Sequence, residues 1–256
     1  VILDHNELAR GKKFFDVGLH AMSPDHRLLA YSSDTRGNER YTLRIKDLTT
    51  GKLRREAIED VDSVAWALDG ETFFYTVLDH LHRPHRVFRH RLGTSVAADE
   101  LVFHEPDEAF YVGVSTTRSR AYIVLDLHAK TTSEVHVLPA DAPDRPFRRV
   151  QKRQRHVEYA IDHHGDHFFV LHNRRAKNFA LARTPVERPG ARHWETVIAH
   201  RDDVLLEDVS TFENHLVVFE REGGLEHIRV RNLTSGAEHR VHFPESVYTV
   251  AEGANP

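Results

Sequence analysis

Twenty-one histidines and no cysteine narrow the chemistry that this chain of 256 residues can carry. Without a thiol there is no cysteine nucleophile, no disulfide framework and no cysteine-type zinc site. The histidines crowd two places, DHHGDH (162–167) and HLHRPHRVFRH (80–90). Zinc needs three or four ligands converging on one point, with each imidazole steadied by a partner. His163, His164, Asp166 and His167 fall at a turn, while His80, His82 and His85 lie in a loop ahead of His90. No H-E-x-x-H spacing organises either group, so both read as solvated turn histidines, and no metal or other cofactor is expected. A serine nucleophile needs G-x-S-x-G on a sharp strand-to-helix turn. The nearest approach is GVST (113–116), where Ser115 is not followed by Gly and its setting is extended. No catalytic residue is expected in this chain.

Two basic runs, RRVQKRQR (148–155) and NRRAK (173–177), lack interleaved aromatics for base stacking and belong to a chain of formal net charge −4. They read as solvated strand edges, where charge discourages sheet-to-sheet aggregation. No nucleic-acid partner is expected. The NLT at 232–234 matches a glycosylation sequon, but it occupies a hairpin turn, and Asn232 reads as turn chemistry. No apolar run approaches the roughly 18 residues of a membrane helix, so no membrane partner is expected. The absence of cysteine is compatible with a cytoplasmic location.

The elements that would position any site recur along the chain. Strand-like cores stand at LLAY (28–31), FFYTV (73–77), YIVLDL (122–127), FFVLH (168–172) and HLVVF (215–219), roughly 45–49 residues apart. Each is followed by a second alternating run, as in YTLRIKDLTTGK (41–52) and EHIRVRNLTSG (226–236), and then by a third, as in EAIEDV (56–61) and HRVHFPE (239–245). A further run opens each next unit, as in SVAWALDG (63–70) and FYVGVST (110–116). Four strands in a period just under 50 residues read as blades of a β-propeller. The expected fold is all-β, with about five four-stranded blades, in repeats of roughly 14–61, 62–109, 110–157, 158–205 and 206–247. A β-sandwich pair is the plainer alternative, but sandwiches rarely hold one four-strand offset over such a length. VILDHN (1–6) has the look of an outermost strand, and YTVAEGANP (248–256) that of an inner strand of a further repeat.

Several stretches together resemble the prolyl oligopeptidase family of serine peptidases, in its oligopeptidase B branch. They include SPDHRLLAYSSD (23–34), RPHRVFRHRLGT (83–94), KTTSEVHVL (130–138), WETVIAHRDDVLLE (194–207) and FPESVYTVAEGANP (243–256). The resemblance covers essentially the whole chain. It implies a seven-bladed propeller, of which this chain is an arc, joined to an α/β-hydrolase domain that follows it and carries the catalytic triad. It also implies cleavage after Lys or Arg, short basic peptides as substrates, and a propeller that limits access by size. In related enzymes the loop matching VLDHLHRPHR (77–86) often carries an acidic pair; here Asp79 remains and His80 follows it. A carboxylate there would suit a cationic peptide through a charge-assisted contact. Asp79, Arg83 and Phe74 are therefore the substrate-binding candidates. An ordinary polar loop, with Phe74 in the core, is the other reading of the same residues.

Two functions from different classes follow: a substrate-gating portion of such a peptidase, or a stand-alone propeller serving as a binding scaffold. A coding frame that runs past Pro256 into a G-x-S-x-G segment separates them. If five seven-blade wedges stay open, the end segments Phe14–Val17 and Val247–Val250 are expected to be covered by another copy or another chain.

Overall fold

The computed structural model describes residues 2–250 and 253. Twenty strands form five four-stranded sheets in which spatial neighbours follow chain order. The first holds β1 (Asp16–Met22), β2 (Leu28–Asp34), β3 (Thr42–Asp47) and β4 (Leu53–Ile58). The second holds β5 (Val61–Trp66), β6 (Thr72–Leu78), β7 (Pro84–Arg91) and β8 (Glu100–His104). The third is β9 (Tyr111–Thr116), β10 (Tyr122–Ala129), β11 (Thr132–Pro139) and β12 (Arg148–Gln151). The fourth is β13 (Tyr159–His164), β14 (His167–His172), β15 (Ala180–Pro185) and β16 (Glu195–Ile198). The fifth is β17 (Val204–Thr211), β18 (His215–Glu222), β19 (Leu225–Asn232) and β20 (Glu238–Arg240). The all-β reading with four strands per period holds.

Second strands such as β6, TFFYTVL, are buried along most of their length because both faces meet other elements. Fourth strands such as β4 are more exposed, as a sheet edge should be. The turns repeat one device, an Asp or Asn at the strand end that gathers the next amides. Asp47 Oδ1 accepts from the amides of Thr49 and Thr50, Asp69 Oδ1 from those of Glu71 and Thr72, and Asn232 Oδ1 from those of Thr234 and Ser235. Asn232 is thus engaged in turn chemistry, as its position suggests.

Both chain ends differ from the sequence reading. Ile2–Asp4 pair with no strand, and a short helix, α1 (His5–Ala9), follows. Asp4 caps it by accepting from the amides of Asn6 and Glu7, so local capping prevails where no neighbouring strand fixes an extended form. Tyr248–Val250 are irregular instead of forming an inner strand. Glu226 holds them, accepting from the amide of Val250 at 2.7 Å and the hydroxyl of Thr249 at 2.8 Å. The remainder of YTVAEGANP, apart from Gly253, lies outside the described residues, as does Val1.

The chain divides into two compact units: Val1–Thr116 with Tyr122–Ala129 and His136–Arg148, and Thr117–Ala121 with Lys130–Val135 and Arg149–Pro256. In the first, one core packs Ala30, Leu43, Ile45 and Ile58 against Trp66, Phe73 and Tyr75, joining the first two sheets. A second core gathers Phe74 and Val87 with Val112, Ile123 and Leu125. In the second unit, Phe169 and Leu181 pack with Leu206, Leu216 and Val218.

Candidate functional site: the loop edge of the first two sheets

Three loops of the first unit meet at one edge: residues 35–41 after β2, 59–60 before β5, and 79–83 after β6. The first is organised by Asp34, whose two carboxylate oxygens accept from the amides of Arg36, Gly37, Asn38 and Glu39 at 2.7–3.0 Å. Burial works to raise the Asp34 carboxyl, but those four amides outweigh it and hold it below the usual range. Arg40 then links all three loops. Its guanidinium pairs with Asp60 at 2.9 Å and donates to the Asp79 carbonyl at 2.9 Å.

The loop singled out by sequence is closed on itself. Asp79 Oδ1 accepts from the amides of Leu81 (2.8 Å) and Arg83 (3.0 Å), and Oδ2 accepts from Arg83 Nε at 3.0 Å. Burial favours the protonated form, yet the amides of Arg83 and Leu81 and the Arg83 guanidinium prevail and hold the carboxyl down at about 2. Arg83 is itself buried, and its Nη1 donates to the carbonyls of Asp107 (2.9 Å) and Phe110 (3.0 Å) and, more weakly, Glu105 (3.4 Å). His82 takes a positive φ of 60° to let the chain turn, and Leu81 is left 63% exposed at the tip. Phe74 is 0% exposed, edge-to-face with Phe147 at 5.4 Å. The three candidates are near in sequence but are not brought together around one opening: Asp79 and Arg83 brace the loop, and Phe74 belongs to the core.

An opening does lie beside that loop. A cavity of about 460 Å³ is lined by Gly18, Ser32, Glu39, Tyr41, Asp62 and His82, among others. Tyr41 donates to Asp16 at 2.7 Å, and this bond, with burial and the nearby carboxylates, pushes its phenol up to about 12. Asp62 keeps solvent contact, but surrounding protein pushes its carboxyl up, and Asp126 adds to the effect while a hydrogen bond from Thr76 opposes it. Gly18 is required here for space: a Cβ would stand 2.8 Å from both Ser32 Oγ and the Tyr41 ring. The wall therefore carries carboxylates and a phenol, a setting suited to a cationic group. Sequence reasoning missed Tyr41 and Asp62, since nothing in their local spacing announces a shared cavity, and Arg40, whose partners lie in two other loops.

Among the described residues no three His, Asp or Glu side chains stand together as an ion would need. His80 and His82 are exposed, as expected of turn histidines, but His163 and His90 are not. His163 is buried, bonded through Nδ1 to Ser119 Oγ at 2.8 Å, and burial lowers its basicity. His90 is fully buried, with Nδ1 2.7 Å from Asp99, which also takes the Tyr75 hydroxyl at 2.8 Å. Ser115 is paired with Val124 within β9 and β10, far from any elbow geometry. Among the described residues no helix is long and apolar enough to cross a membrane.

Comparison with known proteins bears on this architecture. A family profile described as "Prolyl oligopeptidase, N-terminal beta-propeller domain" matches residues 1–255. Dipeptidyl aminopeptidase BI of Pseudoxanthomonas mexicana is 37% identical over 259 residues, which cover 100% of this chain and 36% of that protein. Protease 2 of Moraxella lacunata is 35% identical, over 98% of this chain and 36% of that one. Among solved structures, oligopeptidase B from Leishmania major superposes with a TM-score of 0.90 at 26% identity, over 96% of this chain and 36% of that chain. Oligopeptidase B from Trypanosoma brucei, in a closed form with covalently bound antipain, gives 0.88 at 29% identity and the same coverage. The chain thus spans little more than a third of the length of these relatives.

Proposed function

The chain belongs to the prolyl oligopeptidase family, matching its N-terminal β-propeller domain, and from that premise we propose that it is the non-catalytic, substrate-gating portion of an oligopeptidase B-like serine peptidase that cleaves short peptides after Lys or Arg. The observation that carries this reading is the end-to-end match of residues 1–255 to that one domain, with no G-x-S-x-G segment anywhere in the chain. The acyl-transfer chemistry would come from a hydrolase domain, and this chain would contribute size exclusion and interdomain contact. A cytoplasmic location belongs to the same proposal, as does self-association through the terminal sheets.

Within it, Asp79 and Arg83 act by fixing the loop that presents His80 and Leu81, and Phe74 by anchoring β6, instead of touching the peptide. The carboxylate-bearing cavity beside the loop, with Glu39 and Asp62, is the better candidate for meeting a basic residue in transit. The test is hydrolysis of arginyl and lysyl reporter substrates by the purified chain. No turnover is expected; turnover abolished by a serine-directed covalent inhibitor would overturn the assignment of a non-catalytic role.

A further inference from the structure

The contact between the first two sheets encloses a chain of polar groups. Strand β4 alternates there so that Ile58 joins the shared core and Glu56, 3% exposed, turns the same way. Glu56 Oε1 accepts from the amide of Gly93, in the turn just past β7, at 2.9 Å. His90 of β7 is 0% exposed, with its ring 4.9 Å from that of Phe73. Its Nδ1 lies 2.7 Å from Asp99 Oδ1, and Asp99 Oδ2 accepts from the Tyr75 hydroxyl at 2.8 Å. Burial and the bond to Asp99 push the Tyr75 phenol up, so it stays a donor and Asp99 an acceptor.

Hydrogen bonding around this ring does not close with a neutral histidine. A carboxylate that accepts on both oxygens makes Nδ1 the donor and leaves Nε2 a bare lone pair. Among the described residues Nε2 has no hydrogen-bond partner, and neither has Glu56 Oε2, although both atoms are buried. Arg54 Nε comes only to 3.7 Å from that oxygen, beyond hydrogen-bond reach. Two acceptors are thus buried at one contact without a donor for either, which is destabilising. Burial works to raise the Glu56 carboxyl, but the amides of Gly93 and Glu56 itself, then the charges of Arg54 and His90, hold it below its usual range. Glu56 is therefore an ionised acceptor waiting for a donor, and a proton on Nε2 would supply one while setting a cation between two carboxylates.

We propose that His90 carries a proton on both ring nitrogens and joins Asp99 of the second sheet to Glu56 of the first, a proton-dependent latch between the two sheets. The groups around the ring are Asp99, just past the turn Val96–Ala98, Tyr75 and Phe73 from β6, and Glu56 with Arg54 from β4; of these Arg54 alone opposes the added charge. Strand β4 runs on into residues 59–60, where Asp60 meets Arg40, so the latch fastens the strand that feeds the loop edge. The test is long-range nitrogen–proton NMR correlation of the histidine rings in the full chain at neutral pH, with His90 identified by its contacts to the Phe73 ring. Both His90 nitrogens are expected to be protonated. In Glu56→Gln, whose amide can donate to Nε2, the ring should revert to the neutral form with its proton on Nδ1. The bond is present while the ring is charged and is lost as pH rises, so mildly alkaline pH should lower the denaturant midpoint of the parent more than that of Glu56→Gln. A neutral His90 ring in the parent would overturn the proposal, and that spectrum decides even where the variant does not fold. A doubly protonated ring that persists in folded Glu56→Gln, or equal losses of midpoint in the two proteins, would overturn it as well.

Discussion

Asp79 accepts three hydrogen bonds from its own loop, and Arg83 turns its Nη1 to backbone carbonyls. With both side chains largely out of solvent, removing one charge leaves the other poorly compensated. Asp79→Asn is expected to destabilise the chain toward the lower end of roughly 3–5 kcal/mol, because three carbonyls still hold the Arg83 guanidinium. The acid limb offers a second reading of the same bond. A carboxyl held at about 2 when folded, against 3.8 unfolded, contributes stability that is complete above about pH 4 and fades as pH falls toward 2. Denaturant midpoints measured at stepped pH should therefore fall less steeply across that window in Asp79→Asn than in the parent. Equal slopes would mean that the carboxylate is not held as described. From sequence, Asp79 was visible as a charge in a loop, but its direction was not. That direction depends on the left-handed turn at His82 and on carbonyls from residues 105–110, which no local spacing reveals.

The strands themselves were legible because each buried face repeats with a period of two and each turn carries its own Asp, Asn or Gly. Leu43 and Ile45 against Arg44 and Lys46 show this at its plainest. The ends were not legible. VIL before an Asp reads as a strand fragment, yet without an adjacent strand the Asp4 cap decides in favour of α1. Close approaches between strands were equally hidden. Gly18 in β1 lies under Ser32 of β2 and the Tyr41 ring, and that ring is tied to Asp16 and cannot swing away freely. Gly18→Ala is expected to lower stability by about 1–3 kcal/mol, the usual range for overpacking, with a correspondingly lower melting temperature. The φ of Gly18 is not in the left-handed region, so the effect would be steric. A melting temperature equal to the parent's would show that the ring and hydroxyl yield without cost.

At the scale of the whole molecule, the described residues form five four-stranded sheets that match an N-terminal propeller domain, and several side chains that drew attention as chemistry are held by strands and turns. His90 and His163 are buried with oxygen partners, Ser115 lies within a strand, and Asn232 closes a turn. The relatives it matches are nearly three times as long as the matched stretch, and the proposal that this chain serves a peptidase depends on what accompanies it. The most direct measurement is therefore to sequence the natural transcript across the codon for Pro256. The account predicts an open frame that continues into an α/β-hydrolase segment carrying G-x-S-x-G, followed by Asp and His. A stop codon directly after Pro256, in a transcript with no such segment on either side, would contradict it and leave a stand-alone propeller scaffold.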